Sequence, residues 1–195
     1  MNIIRSILSD TQLRELISQG KLIESPIKEE QYQPNSIDLT LSNQFCYLEA
    51  NDYNEEDGDY IDIGKPIEYE LFHFSKQYGG IEYEVIDPGE FLLMSTNEIL
   101  NIPNGYVGFI CGRSSIARIG LQTEQAGFID AGFRGTLTLE VYNQTKFPIK
   151  LYKDMRICQV YFMPCALSEK TYQDKNNKYQ DQIEATGSKI YLDFK

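Results

Sequence analysis

Apolar and polar positions alternate through most of the second half of the chain, and only its start repeats at helical spacing. In SDTQLRELISQG, Leu13, Leu16 and Ile17 recur at intervals of one and three, forming one stripe. Ser9 and Gln12 form a capping pair and Gly20 supplies a stop, so a short N-terminal helix is predicted. In QPNSIDLTLS the period becomes two: Ile37, Leu39 and Leu41 alternate with Ser36, Asp38 and Thr40, the pattern of a half-buried strand. From residue 82 onward EYEVI, EFLLMST, GYVGFIC, GTLTLEVYN, FPIKLY and RICQVYFM read as strands, with DPG, IPNG and YKD as turns between them. One segment interrupts them, RSSIARIG at 113–120, which reads as a small helix after the strand 106–111. Many short strands with few helices predict a mainly β body, a compact barrel or a jelly-roll-like fold.

Two segments lack periodicity. Residues 50–60, ANDYNEEDGDY, read as a solvated acidic loop; a cation site is the lesser alternative, because EF-hand spacing is missing. Residues 167–182, polar and rich in Tyr, Gln, Asn and Lys, read on composition alone as a mobile tail before SKIYLDF. No internal repeat is evident.

Length and charge narrow the class. A chain of 195 residues with 42% hydrophobic content suits one globular domain with a real core. The formal net charge of −11 argues against a nucleic-acid polymer as partner, since such binders present a basic face. A small phosphorylated ligand remains open, because charges beyond about 8 Å are screened at physiological salt and local arginines decide. Arg5 breaks the first apolar run, so MNIIRSILSD does not read as a signal peptide, and no run of 18 apolar residues spans a membrane. Cys46, Cys111, Cys158 and Cys165 show no metal-ligand spacing. A cytoplasmic protein with reduced cysteines is expected.

The candidate chemistry lies between residues 112 and 142. GRSSIAR follows a strand and opens a helix, so backbone N–H groups, the Ser114 and Ser115 hydroxyls and Arg113 suit a phosphate; a serine-capped helix with surface arginines is the alternative. In TLTLEVYN, Leu137, Leu139 and Val141 share one face, while Thr136, Thr138, Glu140 and Tyr142 share the other. Glu140 is then either a solvated or ion-paired side chain or a pocket carboxylate suited to proton transfer. Asp130, in GFIDAGFRG, either bonds its own turn or reads a sugar hydroxyl. His73, the only histidine, reads as structural among the bulky residues of LFHFS, which removes Ser-His and Cys-His schemes. Pro164-Cys165 is not followed by a second cysteine, so the zinc deaminase pattern is absent and no protein-bound metal is expected.

In their order, GRSSIARIGL, AGFIDAGFRGTLTLEVYN, FPIKLYKDMRICQV and a tail with Tyr172, KYQDQ and Ser-x-Ile-Tyr closely resemble the dCTP deaminase family over essentially the whole chain. QPNSIDLTL matches that family's early strand, and the related trimeric dUTPases share the Gly-x-Ile-Asp and Arg-Gly pieces.

The resemblance implies a distorted β-barrel of the dUTPase-like, β-clip kind, a single domain over 1–195 whose tail, 167–195, closes over the active site. It implies a homotrimer with sites between subunits, and hydrolytic, zinc-independent deamination of dCTP at cytosine C4. Mg²⁺ would be carried on the substrate phosphates; dUTP is a further candidate substrate and dTTP a candidate inhibitor. Arg113, Ser114 and Ser115 match the triphosphate-binding turn, with Ile116, Ala117 and Arg118 completing that substrate-binding stretch. Asp130 matches the acid that holds the deoxyribose 3′-hydroxyl, and Thr138, Leu139 and Glu140 match the strand that reads the base through its backbone. Gln159 matches the glutamine of the RICQV strand, and Tyr172, Lys178 and Gln182 match tail positions over the phosphates. Glu140 becomes the general acid–base, with Arg118 and Ser114 orienting the attacking water and Asp130 serving phosphate cleavage. Gln125-Ala126-Gly127-Phe128 stands where one-activity deaminases typically carry Thr-Ala-His-Arg, and it resembles the bifunctional members that release dUMP. A deaminase releasing dUTP is the alternative. Glu140 and the missing glycine-rich phosphate loop argue against a plain dUTPase, and the set Glu140, Arg118, Ser114 and Asp130 argues against a non-catalytic nucleotide-binding regulator.

Overall fold

The computed structural model describes residues 6–48, 61–123 and 127–194. The acidic run 50–60 and the pair Gln125-Ala126 lie outside them. The first helix is Asp10–Ser18, closed by the capping box read from the sequence: the Ser9 backbone N–H donates to Gln12 Oε1 at 3.0 Å, and the Gln12 N–H to Ser9 Oγ at 3.5 Å. Gly20, at φ 71°, lets the chain leave the helix through the left-handed region. Leu13 is fully buried, with Leu16 and Ile17 packed beside it against the core.

Strands dominate the rest of the described residues. The largest sheet orders them as Phe128–Ile129, Tyr106–Gly112, Arg156–Pro164, Ile37–Leu48, Phe91–Thr96, Thr138–Asn143 and Leu121–Gln122, with Tyr69–His73 added beside Ile37–Leu48. All of these pairings are antiparallel. Ile110 and Phe128, near one end of that order, and Thr138 and Glu140, near the other, line the same cavity. The sheet therefore curls into a half-barrel, as the mainly β barrel reading expects. Leu39, Leu41, Val141, Val160 and Phe162 fill its interior, none above 1% exposed. Two three-stranded sheets flank it: Leu22–Ile23 with Leu100–Asn101 and Arg134–Gly135, and Lys76–Tyr78 with Ile81–Ile86 and Ile149–Tyr152. No helix among the described residues is long and apolar enough to cross a membrane.

Four readings change. The strand begun by IDLTLS is buried on both faces over Ile37–Ser42, because its polar side meets other polar groups rather than water. GTLTLEVYN is two strands, Arg134–Gly135 and Thr138–Asn143, since Gly135 at φ 145° breaks the extended run. His73 is exposed, its neighbour Phe74 being the one packed inward. The tail is not loose. Tyr172 N–H donates to Ala131 O at 2.8 Å, Asp181 N–H to Arg134 O at 2.8 Å and Thr136 N–H to Gln182 O at 2.9 Å, tying it to segment 131–136.

Candidate active site

A cavity of about 460 Å³ opens where the curled sheet meets the tail. That is the size of a small-molecule site. Its aromatic lining includes Tyr69, Phe91, Phe128, Phe133, Tyr172 and Tyr179, and its polar lining Asp130, Thr138, Glu140, Gln182, Thr186 and Ser188.

Glu140 reaches the cavity because of strand alternation. In Thr138–Asn143, Leu139 and Val141 are buried, while Thr138, Glu140 and Tyr142 are half-buried on the opposite face. One edge of this strand pairs with Phe91–Thr96, Glu140 opposite Leu93. The other edge pairs with Leu121–Gln122 only at Tyr142 and Asn143. Over Thr138 and Leu139 that second edge has no partner strand among the described residues, and backbone donors and acceptors at such an edge suit recognition of a planar base.

Asp130 opens the turn 130–133, in which the Phe133 N–H donates to Asp130 O at 3.2 Å and Gly132 takes φ 87°. Its exposed carboxylate makes no hydrogen bond or ion pair among the described residues, so the reading that it serves its own turn is not needed. Tyr172 stands edge-on to Phe133 at 5.6 Å. Its phenol is pushed up in pKa by burial first, with Asp130 a smaller contributor. Gln182 Nε2 donates to Thr136 O at 2.8 Å, which fixes the amide. Gln182 Oε1 is then buried with no hydrogen-bond partner among the described residues. An acceptor suits an N–H or O–H of a ligand, not a bare phosphate oxygen. Lys178 does not line the cavity and pairs with Asp193 at 2.5 Å.

The cationic turn lies elsewhere. Arg113, Ser114, Ser115 and Gln159 line a second hollow of about 390 Å³, with Gln33, Ser36 and Asp38. The two cavities share no lining residue. The small helix is Ser114–Ala117, capped by Arg113 without a side-chain bond, so no serine caps it. Ser114, Ser115, Ala117 and Arg118 are exposed and Ile116 is buried. Arg118 lines neither cavity. Gln159 is held on both sides: its Oε1 accepts from Ser36 Oγ at 3.1 Å, and its Nε2 donates to Gly112 O at 3.2 Å. One chain therefore brings Glu140, Asp130, Thr138, Leu139, Tyr172 and Gln182 together, and Arg113, Ser114, Ser115 and Gln159 together, but does not join the two groups. Sequence reasoning missed Asp38, Tyr69, Tyr179, Thr186 and Ser188. Only the tyrosine-rich tail hinted at any of them.

Docking of the tail yields a prediction. A Cβ on Gly135 would lie 2.7 Å from the Gln182 carbonyl oxygen, at a φ that side chains rarely adopt. Gly135→Ala is expected to loosen the two backbone bonds on either side, at about 1 kcal/mol each. Cleavage within the tail in limited proteolysis should then quicken by about thirtyfold, since it tracks the open population. An unchanged rate would contradict the docking.

Comparison with known proteins places the chain in a family. Residues 7–165 match the family model described as dCTP deaminase-like. A protein of Hydrogenobaculum sp. named "dCTP deaminase, dUMP-forming" is 44% identical over 188 residues, 96% of this chain and 98% of its own length. One of the same name from Sulfurihydrogenibium sp. is 41% identical over the same shares. The crystal structure of a 2′-deoxycytidine 5′-triphosphate deaminase from Agrobacterium tumefaciens shares the fold, with a TM-score of 0.62 at 24% identity over 82% of this chain and 48% of that one. The chain spans about half the length of that structure. A family match over most of the sequence, joined by near-full-length relatives above 40% identity, means that the chain belongs to the dCTP deaminase-like family.

Proposed function

We propose that the protein hydrolyses Mg²⁺-bound dCTP, first at cytosine C4 and then at the α-phosphate, to give dUMP, ammonia and pyrophosphate. The observation that carries this reading is the cavity that Glu140 lines together with Asp130, Thr138 and Gln182, with aromatic walls for a flat base. The name shared by the relatives from Hydrogenobaculum and Sulfurihydrogenibium supports dUMP as product. The compartment proposed, on the sequence reading alone, is the cytoplasm.

In this reading Glu140 takes a proton from the water that attacks C4 and passes it towards N3, while a second proton leaves with ammonia. That role is worth about 10²–10⁴ in rate. Asp130 holds the 3′-hydroxyl and orients a second water at the α-phosphate. Tyr172, Gln182 and Lys178 act from the tail, Lys178 by exchanging Asp193 for a phosphate oxygen. Mg²⁺ carried on the triphosphate, when bound, would supply charge neutralisation at the pyrophosphate leaving group.

Arg113, Ser114, Ser115 and Arg118 act in the same site from a neighbouring subunit of a homotrimer. The separation of the two hollows supports this, as does the exposure of Ile119 and Phe128 next to the two groups. Mixing inactive Glu140→Gln with inactive Arg118→Ala chains, unfolded and refolded together, tests it. A shared site needs one intact residue from each of two neighbours, so about a quarter of sites should recover in an equal mixture. No recovery, or full activity in a monomer, would sink the shared site.

A further inference from the structure

We propose that Asp38 is the positioning residue of the anion-binding turn: its buried carboxylate holds the guanidinium of Arg113 in place before a phosphate arrives. The proposal rests on the reading of Arg113 as a triphosphate ligand and extends it to a residue from the other end of the sequence.

Asp38 lies on Ile37–Leu48, opposite Gln159 of Arg156–Pro164, with its side chain 4% exposed. Its Oδ2 is 3.3 Å from Arg113 Nε, accepts from Arg156 at 3.1 Å and from Gln33 Nε2 at 3.4 Å. Burial pushes the carboxyl pKa up, and the two guanidiniums pull against that. Arg113 is fastened a second time, donating through one terminal nitrogen to Arg156 O at 3.0 Å. Two of its three nitrogens are thus occupied within the chain. No bond found among the described residues uses the third, and the side chain lines the hollow beside Ser114 and Ser115. The backbone entering the turn is held too, through the bond from Gln159 to Gly112 O.

Charge points the same way. One carboxylate between two guanidiniums leaves the cluster with an excess positive charge, at a hollow whose other near groups are hydroxyls and amides. A further anion in the hollow would meet that excess, and because Arg113 is ordered in advance, the anion does not bear the entropy of fixing a long side chain. Arg113 Nε and one terminal nitrogen face inward, so the remaining edge is presented to the ligand in a single orientation.

A double-mutant cycle on the full chain tests this, with kcat and KM for Mg²⁺-bound dCTP and the melting midpoint measured for each protein. Asp38→Asn keeps the shape but removes the charge; its KM should rise about tenfold, the scale of releasing one ordered side chain, with kcat within about twofold. Arg113→Ala should raise KM further, and the double variant should match Arg113→Ala alone, because Asp38 acts through Arg113. Effects that multiply, or an Asp38→Asn protein that melts earlier with KM unchanged, would overturn the proposal. If Arg113→Ala itself leaves KM unchanged, the phosphate-ligand reading has failed first, a result distinct from the other two. A second measurement uses the wild-type protein and needs no folded Asp38 variant. The Nε–H of Arg113, assigned by its loss in Arg113→Lys, should give a resolved, slowly exchanging NMR signal without ligand; a signal averaged like that of free arginine overturns the proposal.

Discussion

Glu140→Gln is expected to lower deamination of dCTP by at least about a hundredfold while nucleotide binding stays near wild type. The amide keeps the length of the side chain and a hydrogen-bonding end but cannot accept a proton from water. Packing should not change, since Glu140 is half-buried on the cavity face and the strand is held by Leu139 and Val141 beneath it. Calorimetric titration with dCTP and an ammonia assay on one preparation separate the two effects. Turnover within a few-fold of wild type would remove Glu140 from the chemistry.

Asp130→Asn should act at the other end of the nucleotide. With dUTP supplied, pyrophosphate release should fall by about a hundredfold, because the second water loses the carboxylate that orients and deprotonates it. Glu140→Gln should leave that step within a few-fold. The two carboxylates line one cavity but lie on different strand and turn segments, which makes separable roles physically reasonable. Equal losses of dUTP cleavage in both variants would mean that one group serves both steps.

What could be read from the sequence was what local chemistry decides. Ser9 and Gln12 bond across three residues, and alternation in Thr138–Asn143 is a property of one strand, so the helix cap and the facing of Glu140 were both legible. The small helix was legible for the same reason, although it is shorter than 113–120, spanning Ser114–Ala117. Asp38 was not legible. Alternation turned it towards water, and only the long-range approach of Arg113, Arg156 and Gln33 makes that side an interior. The tail misled because its composition is that of a solvated segment. Its order comes from backbone bonds to segment 131–136 and from tyrosines such as Tyr172 that carry both an apolar ring and a polar end. Residue types could not reveal that Arg113 and Glu140 line different hollows, since that separation depends on how the sheet curls.

The most direct test of the central claim is the product formed from dCTP. The protein is incubated with dCTP and Mg²⁺ at limiting enzyme, the reaction is stopped at early times, and nucleotides, ammonia and pyrophosphate are separated and quantified. Equal amounts of dUMP, ammonia and pyrophosphate, with no dUTP building up ahead of dUMP, are predicted. Stoichiometric dUTP without pyrophosphate would contradict cleavage at the same site, and dCTP left intact would contradict the deaminase reading itself.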